Sequence, residues 1–216
     1  MHSRSRPLLC QTCYGTLELN TPPFCLNCPR QLTSYVTDGL CPSCRKHPPA
    51  YDRAWAVCHY NDPMRKLLHQ FKYNGKTGLR KTFASLIATF VQTYHVPLGQ
   101  FDLVIPIPLH AARFRERGFN QSALLAQTLE KDLAIPVSTH NLLRIKNTSP
   151  QAQLSKKERW TNIQEAFTIK QPFKLHDKSI LLIDDLWTTG ATAQEAARSL
   201  KHNGAAYVGV LALAIA

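Results

Sequence analysis

From Tyr51 onward, short apolar runs alternate with segments in which apolar residues recur every three or four positions. The short runs predict buried strands, and the three-to-four spacing predicts amphipathic helices. The predicted strands are 54–60, 103–107, 180–184 and 207–215, and the predicted helices are 62–73, 77–94, 120–134 and 193–203. Strands that alternate with helices in this order favour an α/β fold, with a parallel sheet covered by helices on both faces.

Polar residues mark the starts of several predicted helices. Asp62 is expected to cap the first helix, because Pro63 follows it and proline is favoured in a first turn. Asn120 is expected to cap the third helix. Ser155 and Glu158 have the spacing of a capping box, which predicts a further short helix at that point.

The segment from Ile180 to Thr192, I-L-L-I-D-D-L-W-T-T-G-A-T, carries the most specific chemistry. A predicted strand ends in two adjacent carboxylates, Asp184 and Asp185, and a loop rich in hydroxyl groups then leads into a helix. Ligands of open α/β sheets bind outside the carboxyl ends of the strands, and a helix N-terminus attracts phosphate. The acids would repel a phosphate, so they are expected to accept hydrogen bonds from sugar hydroxyls. The segment therefore predicts a site for a phosphorylated sugar.

All thirteen positions of this segment resemble the phosphoribosyl-pyrophosphate (PRPP) signature of type I phosphoribosyltransferases. The resemblance implies that Asp184 and Asp185 hold the ribose hydroxyls and act in catalysis. It also implies that the 5′-phosphate is held by the loop residues Thr188, Thr189, Gly190, Ala191 and Thr192. An ordinary buried strand that ends in acids would explain positions 180–185 but not the T-T-G-A-T that follows. Trp187 is expected either to stack beside the site or to pack at the edge of the core.

A second loop is expected at the same edge of the sheet, where Pro106 and Pro108 end the strand in V-I-P-I-P-L-H. Guanidinium forks match the oxygens of pyrophosphate, which is a strongly charged leaving group. The predicted pyrophosphate-binding residues of this basic region are Arg113, Arg115, Arg117 and Lys72. The alternative is a basic helix start that faces water, with His110 merely capping a turn.

Six of the seven cysteines fall in C-x-x-C pairs near the N-terminus, and two such pairs complete a tetrahedral zinc site. Zinc-ribbon spacing is found in Cys25, Cys28, Cys41 and Cys44, and equally in Cys10, Cys13, Cys25 and Cys28. Spacing alone leaves both sets open. An all-cysteine site has no open coordination position, so the predicted zinc is structural. Cys58 stands alone and is expected to be a buried apolar thiol.

The length of 216 residues fits a small module followed by one medium domain. We predict a cysteine-rich zinc-ribbon module over 1–50 and a phosphoribosyltransferase-like domain over 51–216. No apolar run approaches the ~18–20 residues of a membrane span, and the residues before the first cysteines lack the apolar core of a secretory signal. We therefore expect no membrane insertion and a cytoplasmic location.

The chain is strongly basic, with 26 Lys and Arg against 14 Asp and Glu and a formal charge of +12. Such an excess favours polyanionic partners or phosphorylated substrates, although a solvated basic surface is the simpler reading for any single lysine. The basic clusters comprise Arg65, Lys66, Lys72, Lys76, Arg80 and Lys81, then Arg113, Arg115 and Arg117, then Lys156, Lys157 and Arg159. The polar segment 148–162 between predicted strands is expected to be either a lid over the site or a plain surface connection.

Nearly the whole chain resembles the ComF/ComFC family of competence-associated proteins. The residues that carry the resemblance are the cysteine pairs, F-K-Y-N-G-K at 71–76, V-I-P-I-P-L-H at 104–110, R-E-R-G-F-N-Q at 115–121, T-S-P-Q-A-Q-L-S at 148–155 and the PRPP motif. The family often has four C-x-x-C pairs, and the first of them is absent here. The resemblance therefore favours Cys25, Cys28, Cys41 and Cys44 as the zinc ligands and leaves Cys10 and Cys13 as possible ones.

The resemblance implies a role in natural transformation, in which such proteins are linked to the handling of incoming single-stranded DNA. One expected function is enzymatic: PRPP bound with Mg²⁺ transfers ribosyl phosphate to a nitrogen acceptor and releases pyrophosphate. The other is a non-catalytic module that senses PRPP and binds single-stranded DNA through basic loops and aromatic residues. Proteins of the competence machinery are further expected partners.

Overall fold

A computed structural model of the chain describes residues 9–33, 36–148 and 156–216. The strands of this part of the chain are β1 (Arg53–His59), β2 (Leu103–Pro106), β3 (Leu142–Arg144), β4 (Phe167–Ile169), β5 (Ser179–Trp187) and β6 (Tyr207–Ile215). Its α-helices are α1 (Gln11–Gly15), α2 (Pro42–Lys46), α3 (Asp62–Tyr73), α4 (Leu79–Thr93), α5 (Ala111–Arg117), α6 (Gln121–Leu133), α7 (Lys156–Ile163) and α8 (Ala191–His202).

Four parallel strands form the main sheet in the order β1-β6-β5-β2, and β3 and β4 form a separate antiparallel pair. All four strands predicted from the sequence are present, and β6 has the predicted bounds. β5 is longer than predicted, because it continues to pair with β6 as far as Trp187 opposite Ile215. β2 has already ended with Pro106 opposite Ile183. The sheet edge is therefore stepped, and the β5 segment that carries the two aspartates lies beyond the end of β2.

Apolar side chains of the sheet pack in two cores, one on each face. Leu181 and Ile183 of β5 pack with residues of α3, α4 and α6, whereas Ile180 and Leu182 pack with residues of α8. Successive side chains of a strand point to opposite faces, so a continuous apolar run supplies both cores. The expected α/β class, a parallel sheet with helices on both faces, is confirmed.

Side chains cap α3 and α6, as the sequence predicted for both helices, but one of these two predicted caps needs correction. The side chain of Asn120 accepts a hydrogen bond from the Ser122 amide at 3.1 Å and caps α6, as expected. The cap of α3 is Asn61, whose side chain accepts from the Met64 amide at 3.2 Å. The assignment of that cap to Asp62 was wrong. Asp62 lies one position later, in the first turn, where its negative charge interacts favourably with the helix dipole.

The N-terminal region is attached to the open edge of the sheet. Leu19 forms an antiparallel bridge with Cys58 of β1, and the Asn20 side chain donates to the carbonyls of Pro29 at 2.9 Å and Ala56 at 3.2 Å. Cys58 is fully buried, as expected of an apolar thiol, and burial raises its pKa to about 12. The domain boundary at residue 50 remains a prediction.

The segment 148–162 is described only in part. Positions 149–155, which include Ser155 of the predicted capping box, lie outside the described residues, whereas α7 (Lys156–Ile163) lies within them. Within the described ranges, no helix has the length and apolar character needed to cross a membrane.

Candidate functional site

A cavity of about 250 Å³ opens where the sheet edge is stepped. Asp184 and Asp185 of β5, Lys72 of α3, and the loop that follows β2 contribute to its wall. The first turn of α8 closes it on another side through Thr192, with Thr188 from the preceding loop. The loop after β2 and the end of β5 therefore meet at one site, at the sheet edge that the sequence analysis predicted for both.

The two carboxylates have different surroundings. Asp185 is 8% exposed, and its Oδ2 accepts from Lys72 Nζ at 2.8 Å. Asp184 Oδ1 accepts from the Asp185 amide at 2.8 Å and from Ser122 Oγ at 3.3 Å. The sequence grouped Lys72 with a pyrophosphate-binding basic loop, but Lys72 lies in the last turn of α3 and its charge is paired with Asp185. Lys72 thus offsets the charge of the acidic pair.

The electrostatics of the pair reflect this arrangement. Burial, and next the repulsion from Asp185, raises the pKa of Asp184 to about 7. Burial of the Lys72 amine favours its neutral form, but the attraction of Asp185 and then Asp184 outweighs this effect, so the pKa of Lys72 is raised. The site therefore combines a charged lysine, its paired aspartate and a second carboxyl group whose protonated form is favoured by burial.

The three arginines of the predicted basic region do not all face the cavity. All three lie on α5, so this segment is helical, as the alternative interpretation of the sequence predicts. His110 caps α5, because its Nδ1 accepts a hydrogen bond from the Ala112 amide at 3.3 Å. Arg113 and Arg117 line the cavity, whereas the exposed Arg115 is not among its lining residues. The helical period explains the difference, because residues two positions apart point in different directions.

Two further residues of the cavity wall were not found from the sequence. Arg144 comes from β3, and burial lowers its pKa. Gln121 is 1% exposed at the start of α6, and its Oε1 accepts from Arg117 at 2.7 Å. Among the described residues, Arg144 Nε and Gln121 Nε2 are buried without a hydrogen-bond partner. Gln121 belongs to the R-E-R-G-F-N-Q motif, which could have indicated it, whereas Arg144 ends the three-residue strand β3, which carries no motif.

The loop between β5 and α8 is held by close packing. Gly190 caps α8 with a φ of 81°, in the left-handed region that favours glycine. A Cβ atom at this position would lie 2.6 Å from Cζ2 of Trp187. The Trp187 indole is 5% exposed and meets Tyr51 edge to face, with 5.5 Å between the ring centroids. Trp187 therefore packs at the edge of the core, one of the two alternatives, and supports the loop from behind.

A candidate metal site comprises Cys25, Cys28, Cys41 and Cys44. All four side chains are buried, and their Sγ atoms lie within 4.8 Å of one another. Four ionised thiols this close would repel one another without a cation, and a Cys₄ set is the ligand set of structural zinc. These cysteines fit a structural zinc site. Cys10 and Cys13 are exposed and lie outside this cluster. The geometry therefore favours the four clustered cysteines over the ligand set that includes Cys10 and Cys13.

No protein-family model matches the chain. Curated relatives match it almost from end to end. Competence protein F of Haemophilus influenzae is 31% identical over 95% of this chain and 96% of its own length. The chain belongs to the competence protein F family. ComFC of Bacillus subtilis is 34% identical over 92% of this chain and 80% of its own. The DNA utilization protein YhgH of Escherichia coli K12 is 30% identical over 96% of each chain.

Solved structures of phosphoribosyltransferases align with part of this family member. The allosteric regulatory enzyme of purine biosynthesis shares 18% identity over 63% of this chain and 25% of its own length, with a TM-score of 0.40. The purine phosphoribosyltransferase of Pyrococcus horikoshii shares 17% identity over 63% of this chain and 73% of its own, with a TM-score of 0.35.

Proposed function

We propose that the cavity at the stepped sheet edge binds PRPP and that the protein transfers ribosyl phosphate from it to a nitrogen acceptor. One observation carries the proposal: paired carboxylates, four cationic side chains and a helix start converge on one cavity of about 250 Å³. The cations are Lys72, Arg113, Arg117 and Arg144. Their excess over the two aspartates favours a ligand with several negative charges.

Each part of PRPP has a matching part of the wall. The free oxygens of Asp184 and Asp185 accept the ribose hydroxyls. The α8 start, with Thr188 and Thr192, takes the 5′-phosphate, because the first amides of a helix lie outside its internal hydrogen-bond ladder. Arg113 and Arg117 face the pyrophosphate, and Thr189, Gly190 and Ala191 shape the phosphate loop.

The proposed reaction breaks the bond between C1′ and the pyrophosphate oxygen and forms a bond between C1′ and the acceptor nitrogen, which loses a proton. The electron pair of the broken bond leaves with pyrophosphate, and positive charge develops on the ribose ring. Fixed guanidinium groups that stabilise the leaving charge and fixed hydrogen bonds that orient the ribose are the catalytic contributions of this chain. No covalent nucleophile is required.

The same carboxylates fit a magnesium ion that arrives with the substrate. Mg²⁺ binds in proteins through one or two carboxylates together with substrate phosphates. Asp184 and Asp185 provide that number of hard oxygen donors, and Mg²⁺ would neutralise charge on the pyrophosphate. Asp185 also accepts from Lys72 Nζ at 2.8 Å, which fixes the position of its carboxylate.

Isothermal titration of the zinc-loaded protein with PRPP and Mg²⁺ tests the binding. Asp184→Asn should weaken PRPP binding at least tenfold, because the amide accepts hydroxyls less well and does not bind the metal. Asp62→Asn is the matched control, because this aspartate lies on the surface of α3 with a 79% exposed side chain. Wild-type affinity in Asp184→Asn would overturn the assignment.

Helix α5 offers an internal control for the cationic wall. Arg113→Ala and Arg117→Ala should each weaken PRPP binding, whereas Arg115→Ala should leave it within about twofold, because Arg115 does not line the cavity. Equal losses in all three variants would indicate a general charge effect and no specific wall. Release of pyrophosphate in the presence of candidate nitrogen acceptors then separates a transferase from a protein that only binds PRPP.

A second candidate function is the binding of single-stranded DNA, alone or together with proteins of the competence machinery. It is favoured by the formal charge of +12 and by relatives named for competence and DNA utilization. Binding should show little sequence preference and should weaken steeply with salt, with a log–log slope of about −0.7 for each neutralised phosphate. A flat salt dependence would remove this candidate.

A further inference from the structure

A second cavity, of about 660 Å³, lies between the cysteine cluster and the N-terminal half of α8. Its volume is within the roughly 300–1,000 Å³ typical of ligand pockets. Three aromatic residues line it: Tyr51 and Trp187, each 5% exposed, and Trp160 of α7, whose exposure is 39%. A large exposed indole beside a concave surface offers a ring face to a planar ligand.

The charge of this cavity is of one sign. Arg30, Lys46 and Arg198 line it, and none of its described lining residues is Asp or Glu. Arg198 is paired with Glu195 at 2.8 Å, so its charge is partly offset. Lys46 is exposed at the end of α2 and carries no such ion pair among the described residues. The charge of Lys46 is therefore available to a ligand of this cavity.

The wall of this cavity has parts of different chemistry. The buried Cys28 and Cys44 line it together with the exposed side chains of Lys46 and Trp160. An anionic group is therefore favoured beside Lys46, and a neutral planar group is favoured against Trp160. A nucleotide unit has this division into a neutral base and a charged phosphate.

We propose that this second cavity binds a nucleotide unit of a single-stranded nucleic acid, with a base stacked on Trp160 and a phosphate beside Lys46. Aromatic stacking platforms combined with cationic side chains are how single strands are held without sequence preference. The existence of the site is argued from the cavity alone. That the nucleotide belongs to a DNA strand depends on the DNA binding proposed above. Trp187 and Thr189 line this cavity, and Thr188 and Thr192 line the first, so the phosphate loop forms a wall between the two ligands.

Fluorescence anisotropy with a labelled twelve-nucleotide oligothymidine, on the full-length zinc-loaded chain, tests the stacking. Trp160→Ala should raise the dissociation constant roughly five- to 150-fold, the range measured for a lost base–aromatic stack. Trp160→Phe keeps a ring and should bind close to wild type. Phe173→Ala is the control for loss of an exposed aromatic, because Phe173 is 75% exposed and lies outside the cavity. Wild-type affinity in Trp160→Ala would overturn the proposal.

The phosphate contact has its own readout. Lys46→Gln should reduce the log–log salt slope by about 0.7, the effect of one lost phosphate contact. Lys131→Gln removes an exposed charge on α6 and should leave the slope unchanged. If Trp160→Ala does not fold, as judged by zinc content, this pair of lysine variants decides alone. An unchanged slope in Lys46→Gln would then overturn the site.

Two parallel titrations of the wild-type protein distinguish failure of this site from failure of the proposed function. If thymidine monophosphate displaces the oligonucleotide and binds as tightly, the site is assigned to a free nucleotide. The proposal that it binds a single-stranded nucleic acid would then be overturned. Failure of both ligands to bind would overturn this site and the DNA proposal together, and PRPP titration would still report on the first cavity. Unchanged PRPP affinity in Trp160→Ala is expected, because Trp160 does not line that cavity.

Discussion

Gly190→Ala is the sharpest test of how the phosphate loop is built. The backbone at this position has a φ of 81°, which alanine adopts only at a penalty of roughly 1–2 kcal/mol. The new methyl group would also lie 2.6 Å from the Trp187 ring. This ring is buried and packs on Tyr51, so it can move away from the methyl group only by giving up part of that packing and shifting toward the second cavity that it lines. Overpacking of this kind destabilises by typically 1–3 kcal/mol.

Gly75→Ala separates the two contributions. Gly75 has a φ of 63°, but no atom lies within 4 Å of the Cβ position that alanine would occupy. Both substitutions restrict the unfolded chain to the same extent, so this stabilising effect cancels between them. The free energy of unfolding of Gly190→Ala should therefore fall below that of Gly75→Ala by about 1–3 kcal/mol, the overpacking contribution.

Urea unfolding followed by circular dichroism measures this difference, provided that the dependence on urea concentration is equal in the two variants. PRPP titration should also show a loss in Gly190→Ala, because the strained backbone at this position and the contact with Trp187 both displace the loop from its present path. Equal stabilities of the two alanine variants would refute the packing of Trp187 under the loop. Wild-type PRPP affinity in Gly190→Ala would refute the role of this loop in binding.

Three further outcomes are expected. Cys41→Ser should lose bound zinc in elemental analysis and Cys10→Ser should retain it; stoichiometric zinc in Cys41→Ser would contradict the Cys₄ assignment. In the folded chain the pKa of Asp184 is raised from 3.8 to about 7, so folding favours its protonated form. Wild-type stability should accordingly fall relative to Asp184→Asn as pH rises from about 4 to about 7, by up to about 4 kcal/mol, and a constant difference in urea unfolding would contradict this. Lys72→Met should destabilise the fold by about 3–5 kcal/mol because Asp185 loses its partner, and adding Asp185→Asn should recover most of that loss in the same assay.

Local patterns were sufficient to predict the four strands of the main sheet and the helices α3, α4, α6 and α8. β6 and the burial of β5 follow from uninterrupted apolar runs, because a strand covered on both faces needs apolar side chains on both. The ends were harder to place. β5 runs three residues past its predicted end because β6 is available to pair with it. That partner is a tertiary neighbour, and nothing in the local sequence of β5 reports its presence.

In the candidate site, too, local patterns predicted some residues and missed others. Contiguous motifs predicted that the two aspartates and the loop after β5 lie together at one edge of the sheet, because one short stretch of backbone positions every residue of such a motif. Arg144 was missed, because it reaches the cavity through a three-residue strand whose pairing with β4 is also tertiary. The pairing of Lys72 with Asp185 joins residues more than a hundred positions apart, and the choice among the cysteine pairs needed the distances between their sulfur atoms.

The Lys72–Asp185 pair gives the first cavity a property that its motif does not suggest. Two adjacent carboxylates in a partly buried site repel each other, and one of them then tends to bind a proton. Here Lys72 Nζ lies 2.8 Å from Asp185 Oδ2, and burial, together with the remaining repulsion from Asp185, raises the pKa of Asp184. A ligand that brings positive charge or hydroxyl donors to Asp184 relieves this repulsion. Binding of such a ligand should therefore release a proton near neutral pH, which titration in buffers of different ionisation enthalpy measures; if no proton is released, Asp184 is already fully ionised in the unliganded protein.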